Sequence, residues 1–185
     1  VNNHISAYIM QALEKAGVTA AQLKAAGLLS SATVRCSVSD LKASREKGVA
    51  AKILKQRGCS AAALRAAGYT AGELKNAGFS AGDLKRAGYS AAELKAAHFS
   101  PAELKDAGFS AKELKDAGFS AKELKDAGFS AGDLKSVGYS ADALKKAGFT
   151  AEQLRDGGYS AKQLKDAGFS AKELKAAGFS PGQLK

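Results

Sequence analysis

Residues 107–131 read AGFSAKELKDAGFSAKELKDAGFSA, which is a ten-residue unit written twice in full and begun a third time. Variants of this unit continue in one register, with Ser or Thr at every tenth residue from Ser60 to Ser180 and Leu at every tenth residue from Leu64 to Leu184. Self-similarity at a fixed period is typical of a repeat architecture. Positions within each repeat are counted below from its Ser or Thr, which is position zero.

Each repeat carries its own signals for the start and the end of a helix. In the repeat that begins at Ser110, Glu113 stands at the capping-box spacing, at which each side chain accepts the other residue's backbone N–H. Gly118, at position eight, suits the left-handed residue that closes a helix, and Phe119 follows where a Schellman-type end makes its hydrophobic contact. The pattern predicts one helix of about seven residues per repeat.

Substitutions at the signal positions agree with this prediction. His98 replaces the usual Gly, and His is among the few non-glycine residues that enter the left-handed region at modest cost. Pro101 and Pro181 both follow a capping Ser directly, at the first helical position, where proline's missing N–H is harmless. Both kinds of departure therefore favour a helical repeat.

A helix of this length is unstable in isolation and must be stabilised by its neighbours. Ala at position one, Leu at position four and Ala at position seven share one face, to which the aromatic at position nine adds. Burying one Leu and one aromatic contributes about 4–6 kcal/mol, whereas ordering ten residues costs on the order of 15 kcal/mol. The sequence therefore predicts an all-α solenoid of short capped helices, one per ten-residue repeat.

A second fold is compatible with part of the pattern. Leu and an aromatic alternate every five residues, as in Leu104, Phe109, Leu114 and Phe119, and residues 50–185 thereby resemble the pentapeptide-repeat family. The resemblance implies a right-handed β-solenoid, which would point Lys112 and its equivalents inward as unpaired charges. The helical solenoid is favoured for that reason, with the β-solenoid as the alternative. AGFSAKELKD-type arrays also resemble tandem ten-residue repeat proteins of unicellular eukaryotes, a likeness that implies no function.

The first third of the chain follows the repeat less regularly. Residues 19–28 form a complete repeat in another register, residues 50–59 a degraded one, and residues 37–48 one that is three residues too long. Residues 4–16 could form a longer helix. The sequence predicts two parts, an irregular N-terminal helical cap and docking segment over residues 1–59 and a regular repeat array over residues 60–185.

The two cysteines, Cys36 and Cys59, form no CxxC pair. Cys59 occupies the position that holds Phe or Tyr in other repeats, so we expect a buried thiol rather than a metal ligand or an obligate disulfide.

The sequence contains no recognisable catalytic or cofactor motif. The two histidines lack a metal-binding spacing, and GxxxxGK[ST], GxGxxG and GxSxG are absent. The repeated Ser is explained as a helix cap. We therefore expect no enzyme activity, no cofactor, no metal and no small-molecule substrate. With no apolar run long enough to span a membrane, we expect a soluble protein, with an intracellular or organellar location favoured and the compartment left open.

Positive charge is the remaining functional signal. The formal net charge is +10, and residues 1–59 contain nine Lys and Arg against three Asp and Glu, whereas residues 60–185 contain nineteen against fifteen. An irregular, basic segment beside a rigid array suggests recognition of a partner. The candidate partner-binding residues are Arg35, Lys42, Arg45, Lys47, Lys52 and Arg57.

Two functions are compatible with these features. The leading hypothesis is a non-enzymatic repeat scaffold or spacer that mediates protein–protein interaction, with an acidic protein surface or a multi-subunit assembly as its partner. The alternative is a nucleic-acid or other polyanion binder that uses the Lys or Arg at position five, which recurs in every repeat from Lys55 to Lys185 as a basic ladder.

Overall fold

The computed structural model describes Gly17 and residues 36–184. The predicted helix at residues 4–16, the repeat at residues 19–28 and Arg35 lie outside the described residues. Contacts divide the chain into two compact units, Val1–Phe79 and Ser80–Lys185, each of which is taken by itself. The boundary predicted from the sequence, between residues 59 and 60, is the point where the repeat becomes regular. As a division of the chain into two parts it stays a prediction.

Both units are built from short helices joined by four-residue connections. In the described part of the first unit these are α1 (Val38–Glu46), α2 (Ala51–Gln56), α3 (Ala61–Ala66) and α4 (Ala71–Asn76). The second unit contains α5 (Ala81–Arg86), α6 (Ala91–Ala96), α7 (Pro101–Asp106), α8 (Ala111–Asp116), α9 (Ala121–Asp126), α10 (Ala131–Ser136), α11 (Ala141–Lys146), α12 (Ala151–Asp156), α13 (Ala161–Asp166) and α14 (Ala171–Ala176).

The helices begin at the predicted caps. At α8 the Glu113 backbone N–H donates to the Ser110 hydroxyl over 3.1 Å, and the Ser110 N–H donates to the Glu113 carboxylate over 2.8 Å. This reciprocal capping box satisfies two backbone donors that a helix start leaves without partners. Pro101 is the first residue of α7, as predicted.

The helices also end as predicted. Gly118 has φ +82°, its N–H donates to the Lys115 carbonyl, and the Phe119 N–H donates to the Leu114 carbonyl. His98 adopts the same left-handed conformation with φ +61°, which confirms the interpretation of its place in the repeat.

Within each unit, helices two repeats apart pack against each other, and in the second unit helices of neighbouring repeats also do so. Helix pairs α1 and α3, α2 and α4, and α6 and α8 illustrate the contact between repeats two apart. The position-four leucines from Leu64 to Leu164 are 0% exposed, and the position-nine aromatics complete a thin core. Each unit is thus an all-α solenoid of short capped helices.

The β-solenoid alternative is wrong, because residues 36–184 contain no β-strand. The physical reason is the one that disfavoured it: the Lys112 side chain is 73% exposed, whereas a pentapeptide coil would have buried its charge.

The expected free thiol at Cys59 is also wrong, because Cys36 and Cys59 form a disulfide. Cys36 stands directly before the capping Ser37 and therefore occupies the position-nine place, like Cys59. The two cysteines are 23 residues apart, which is two ten-residue repeats plus the three extra residues of the α1 repeat. Repeats two apart lie side by side, so the disulfide joins equivalent positions of two such repeats. The three-residue insertion obscures this in the sequence, because the separation is 23 residues rather than a multiple of ten.

Candidate functional site

The position-five lysines make a recurring contact with the repeat two further along the chain. The Lys95 ammonium donates to the Gly118 carbonyl over 2.5 Å and lies 4.6 Å from the centroid of the Phe119 ring. We call this arrangement the position-five brace. Lysine–ring distances of 4.6–5.3 Å recur in the pairs Lys55–Phe79, Lys85–Phe109, Lys95–Phe119, Lys105–Phe129, Lys115–Tyr139, Lys125–Phe149, Lys135–Tyr159 and Lys145–Phe169.

The braces of Lys85, Lys95, Lys105 and Lys145 also bring the lysine near the capping box of the following repeat. The Ser110 backbone amide, by hydrogen bonding, holds the pKa of Glu113 below its ordinary value, and the Lys85 ammonium lowers it further. A single lysine therefore connects its own helix, a glycine–aromatic pair two repeats later and the cap of the helix after that. Cation–π contacts of this kind are worth about 0.5–2 kcal/mol, depending on their exposure.

The brace changes the interpretation of the basic ladder. These ammonium groups point at carbonyls and rings of their own chain, so a polyanion would have to compete with those contacts. The braces were not predicted from the sequence. Their signal there is a constant separation between the lysine and the ring: Lys95 and Phe119 are 24 residues apart, as are Lys55 and Phe79.

Positions two and six carry charges that lie on the surface and pair within one helix. Lys112 contacts Asp116 at 2.6 Å, and Lys122 contacts Asp126 at 2.7 Å. The hydrogen bond that Lys112 donates to Asp116 raises the pKa of Lys112 above its ordinary value. Among the described residues, Val38 is the one exposed large hydrophobic residue, with 39% of its surface accessible to solvent. A partner that binds the described surface therefore meets mainly polar and charged groups.

The predicted partner-binding residues fall into two groups in the structure. Lys42, Lys47 and Lys52 are exposed, and we call them the α1–α2 lysines. Arg57 is half-buried. Arg35 lies outside the described residues.

Arg45 is exposed, but its guanidinium contacts other side chains of the first unit. Its guanidinium lies 5.7 Å from the centroid of the Tyr69 ring and 3.9 Å from the Glu73 carboxylate. Arg45 stands 24 residues before Tyr69, so it takes the position-five place in the lengthened α1 repeat.

A surface depression on the first unit brings together only some of the predicted residues. Lys42 and Arg45 line it together with Ala67 and the acidic Glu46 and Glu73. Lys47 follows α1 as its C-cap, and Lys52 lies in the first turn of α2. The depression is therefore of mixed charge, and the exposed positive charge lies along α1 and α2 around it.

In the part of the chain that the structure describes, no helix has the length and apolar character needed to cross a bilayer. The same residues contain no group of three or more His, Cys, Asp or Glu side chains placed to hold a metal ion.

Comparison with known proteins identifies the repeat. The model of the decapeptide repeat region family matches residues 48–121, 78–147 and 128–185, which together span residues 48–185 and thus well over half of the chain. No curated protein and no solved structure gives a significant match. The matched ranges contain the caps, glycine stops and braces described above, and the chain belongs to the decapeptide repeat region family.

Proposed function

We propose that this protein is a non-enzymatic scaffold or spacer that positions an acidic partner protein within a larger assembly. The observation that supports this most directly is that the recurring polar side chains of the array serve its own structure. Ser110 and Glu113 cap a helix, and Lys95 braces a neighbouring repeat. A catalytic site requires unlike groups that converge, and the array instead repeats the same occupied groups in every unit.

The α1–α2 lysines are the proposed docking residues. All three are exposed, and none is paired with an acidic side chain that the structure describes, in contrast to Lys112 and Lys122 in the array. Unpaired surface cations attract an acidic partner during encounter and make binding sensitive to salt. Arg45 is removed from the proposed contact set because its contacts with Tyr69 and Glu73 are intramolecular.

A charge-matched pair of variants tests the proposal. One full-length variant carries Lys42→Gln, Lys47→Gln and Lys52→Gln, and the control carries Lys112→Gln, Lys122→Gln and Lys162→Gln. Binding of a fluorescent poly-glutamate peptide is measured by anisotropy at low and at physiological salt. We expect the α1–α2 variant to bind about tenfold more weakly, which corresponds to about 1.4 kcal/mol, and the control to bind like the unmodified protein.

The nucleic-acid alternative is decided by the same variants with a double-stranded oligonucleotide as the probe. Equal losses in both variants, with tighter binding to the oligonucleotide than to poly-glutamate, would favour a general polyanion binder. Poly-glutamate binding that neither variant changes would exclude the α1–α2 lysines as the docking residues.

A further inference from the structure

The Cys36–Cys59 disulfide joins the position-nine places of two repeats that lie two apart along the chain. From Tyr69 to Phe179, position nine always holds an aromatic ring. Cys59 holds that position in the α2 repeat and is 3% exposed. A thiol offers neither a π face to a position-five cation nor a hydroxyl to an earlier position-nine carbonyl, as Tyr139 does to Phe119. The covalent link therefore stands where the usual contacts of a position-nine ring cannot form.

The non-covalent contacts of α1 are concentrated toward its C-terminal end. Arg45 contacts Tyr69 and Glu73, and the Tyr69 hydroxyl donates to the Val49 carbonyl over 2.8 Å. Leu41 is the one residue of α1 that is buried. In the first turn, Val38 is 39% exposed and Asp40 is also exposed. Among the described residues, the N-terminal turn of α1 is thus held by the Ser37 cap, by Leu41 and by the disulfide immediately before it.

We propose that the Cys36–Cys59 disulfide is a redox-controlled anchor for α1, and that its reduction weakens docking at the α1–α2 lysines. The claim that reduction weakens docking rests on the proposed function, whereas the claim that the disulfide anchors α1 does not. With the bond intact, α1 is fixed against α2 and α3, so that Lys42 and Lys47 are presented together with Lys52. After reduction, the first turn of α1 opens.

The reaction is thiol–disulfide exchange with a dithiol reductant. Cys36 is half-buried and Cys59 is buried, so the reductant's thiolate attacks the Cys36 sulfur and the Cys59 thiolate leaves and takes up a proton. The second thiol of the reductant then displaces the Cys36 thiolate, which is protonated in turn. The protein gains two electrons and two protons, and the dithiol becomes a disulfide.

Amide hydrogen exchange on the full chain tests the anchor. The oxidised protein and the protein reduced with dithiothreitol are compared, and α10 serves as an internal control because it lies in the other unit. A disulfide that closes a loop of this length suppresses opening on the order of a hundredfold. We therefore expect the amides of Asp40 and Leu41, which donate to Ser37 in the first turn of α1, to exchange faster by about that factor after reduction. The exchange of α10 should not change. Equal exchange of α1 in both states would overturn the anchor.

A rescue variant tests why the anchor is needed. The variant Cys36→Ser/Cys59→Phe restores an aromatic ring at position nine, and Cys36→Ser/Cys59→Ser provides the matched control without a ring. We expect α1 to be protected in the phenylalanine variant, with or without dithiothreitol, and unprotected in the serine variant. Equal protection in the two variants would show that the disulfide does not replace the contacts of a position-nine ring.

Poly-glutamate binding separates the two halves of the inference. If reduction opens α1 and weakens binding several-fold, both halves are supported. If reduction opens α1 but leaves poly-glutamate binding unchanged, the proposed redox control of docking is wrong, whereas the proposed anchoring of α1 by the disulfide is supported. The charge-matched variants decide the docking residues in the oxidised protein, independently of this result.

Discussion

At the scale of single residues, position five of the repeat requires a side chain that is both long and positively charged. Lys95 uses its charge twice, for the Gly118 carbonyl at the end of a helix and for the π face of Phe119. Arg155 does the equivalent with the Ala177 carbonyl. A neutral side chain of similar length would fill the space but could satisfy neither partner.

Replacing Lys95 with methionine should therefore lower the free energy of unfolding by about 1–2 kcal/mol, because a charged hydrogen bond and a cation–π contact are lost together. The control is Lys112→Met, which removes a surface ion pair from a side chain that is 73% exposed and should leave the free energy of unfolding nearly unchanged. Urea unfolding followed by circular dichroism measures both. Equal effects would mean that the brace contributes nothing beyond an ordinary surface charge.

Two glycines that differ in surroundings should respond to alanine with opposite signs. Gly82 lies within α5, and an added Cβ would meet nothing closer than the Ser80 hydroxyl at 3.7 Å. Gly82→Ala should stabilise the second unit by about 0.5–1 kcal/mol through helix propensity. At Gly157 an added Cβ would lie 2.8 Å from the carbonyl carbon of Ala131, so Gly157→Ala should cost about 1–3 kcal/mol.

Thermal unfolding of the two alanine variants provides the measurement. A stabilising effect at both sites would show that α10 and α12 can move apart without cost, and that the close approach at Gly157 does not constrain the stack.

At the scale of the helix, the capping boxes predict how stability depends on pH. Hydrogen bonds from the Ser110 and Ser120 backbone amides lower the pKa values of Glu113 and Glu123. A group whose pKa is lower in the folded state stabilises the fold above its unfolded pKa, which is about 4.3 for glutamate, and loses that contribution as the pH falls through the folded value. The second unit should thus be steady from pH 7 to about pH 5 and lose stability below.

Glutamine at the same position provides the control for this pH dependence. In α12 the Gln153 side chain accepts the Thr150 backbone N–H over 3.0 Å, so an uncharged residue can complete the box. The variant Glu113→Gln/Glu123→Gln should keep its helices and show a shallower loss of stability between pH 5 and pH 3. A loss as steep as that of the unmodified protein would assign the acid sensitivity to other carboxylates.

The features of the helix that could be predicted from the sequence are those encoded by local spacing. Ser110, Glu113, Leu114 and Gly118 act within one repeat, and their separations are fixed by helix geometry, so cap, core position and stop can be derived without a structure. The braces and the disulfide depend instead on which repeats lie side by side. In an array of near-identical repeats, separations of one, two or three repeats look equivalent, so the sequence alone could not select among them.

At the scale of the whole molecule, each unit is held together by contacts between repeats one and two apart. Tyr139 illustrates the longer contact, since its hydroxyl donates to the Phe119 carbonyl 20 residues earlier. Stability in such a solenoid is approximately a sum of repeat terms and neighbour terms. A change that preserves the repeat register should therefore act locally, whereas a change that breaks it should affect all repeats around the break.

A pair of deletions in the second unit tests this. Deleting residues 111–120 removes one complete repeat, and the neighbouring repeats supply the same caps, leucines and rings in the same register, so we expect a helical spectrum and an unfolding midpoint close to that of the full chain. Deleting residues 116–120 removes the Gly118 stop, the Phe119 ring and the Ser120 cap, and it shortens by half a repeat the separation in the braces that span it, Lys105–Phe129 and Lys115–Tyr139.

The five-residue deletion should consequently lower the midpoint much more than the ten-residue deletion, although it removes half as many residues. Circular dichroism and urea unfolding compare the two chains. The prediction depends on the repeat being ten residues long, because a fold with a five-residue period would accept either deletion in register. Equal midpoints would therefore contradict the capped helix as the unit of stability, since that helix cannot lose its stop and the next cap and still present its leucine and its aromatic to the repeats on either side.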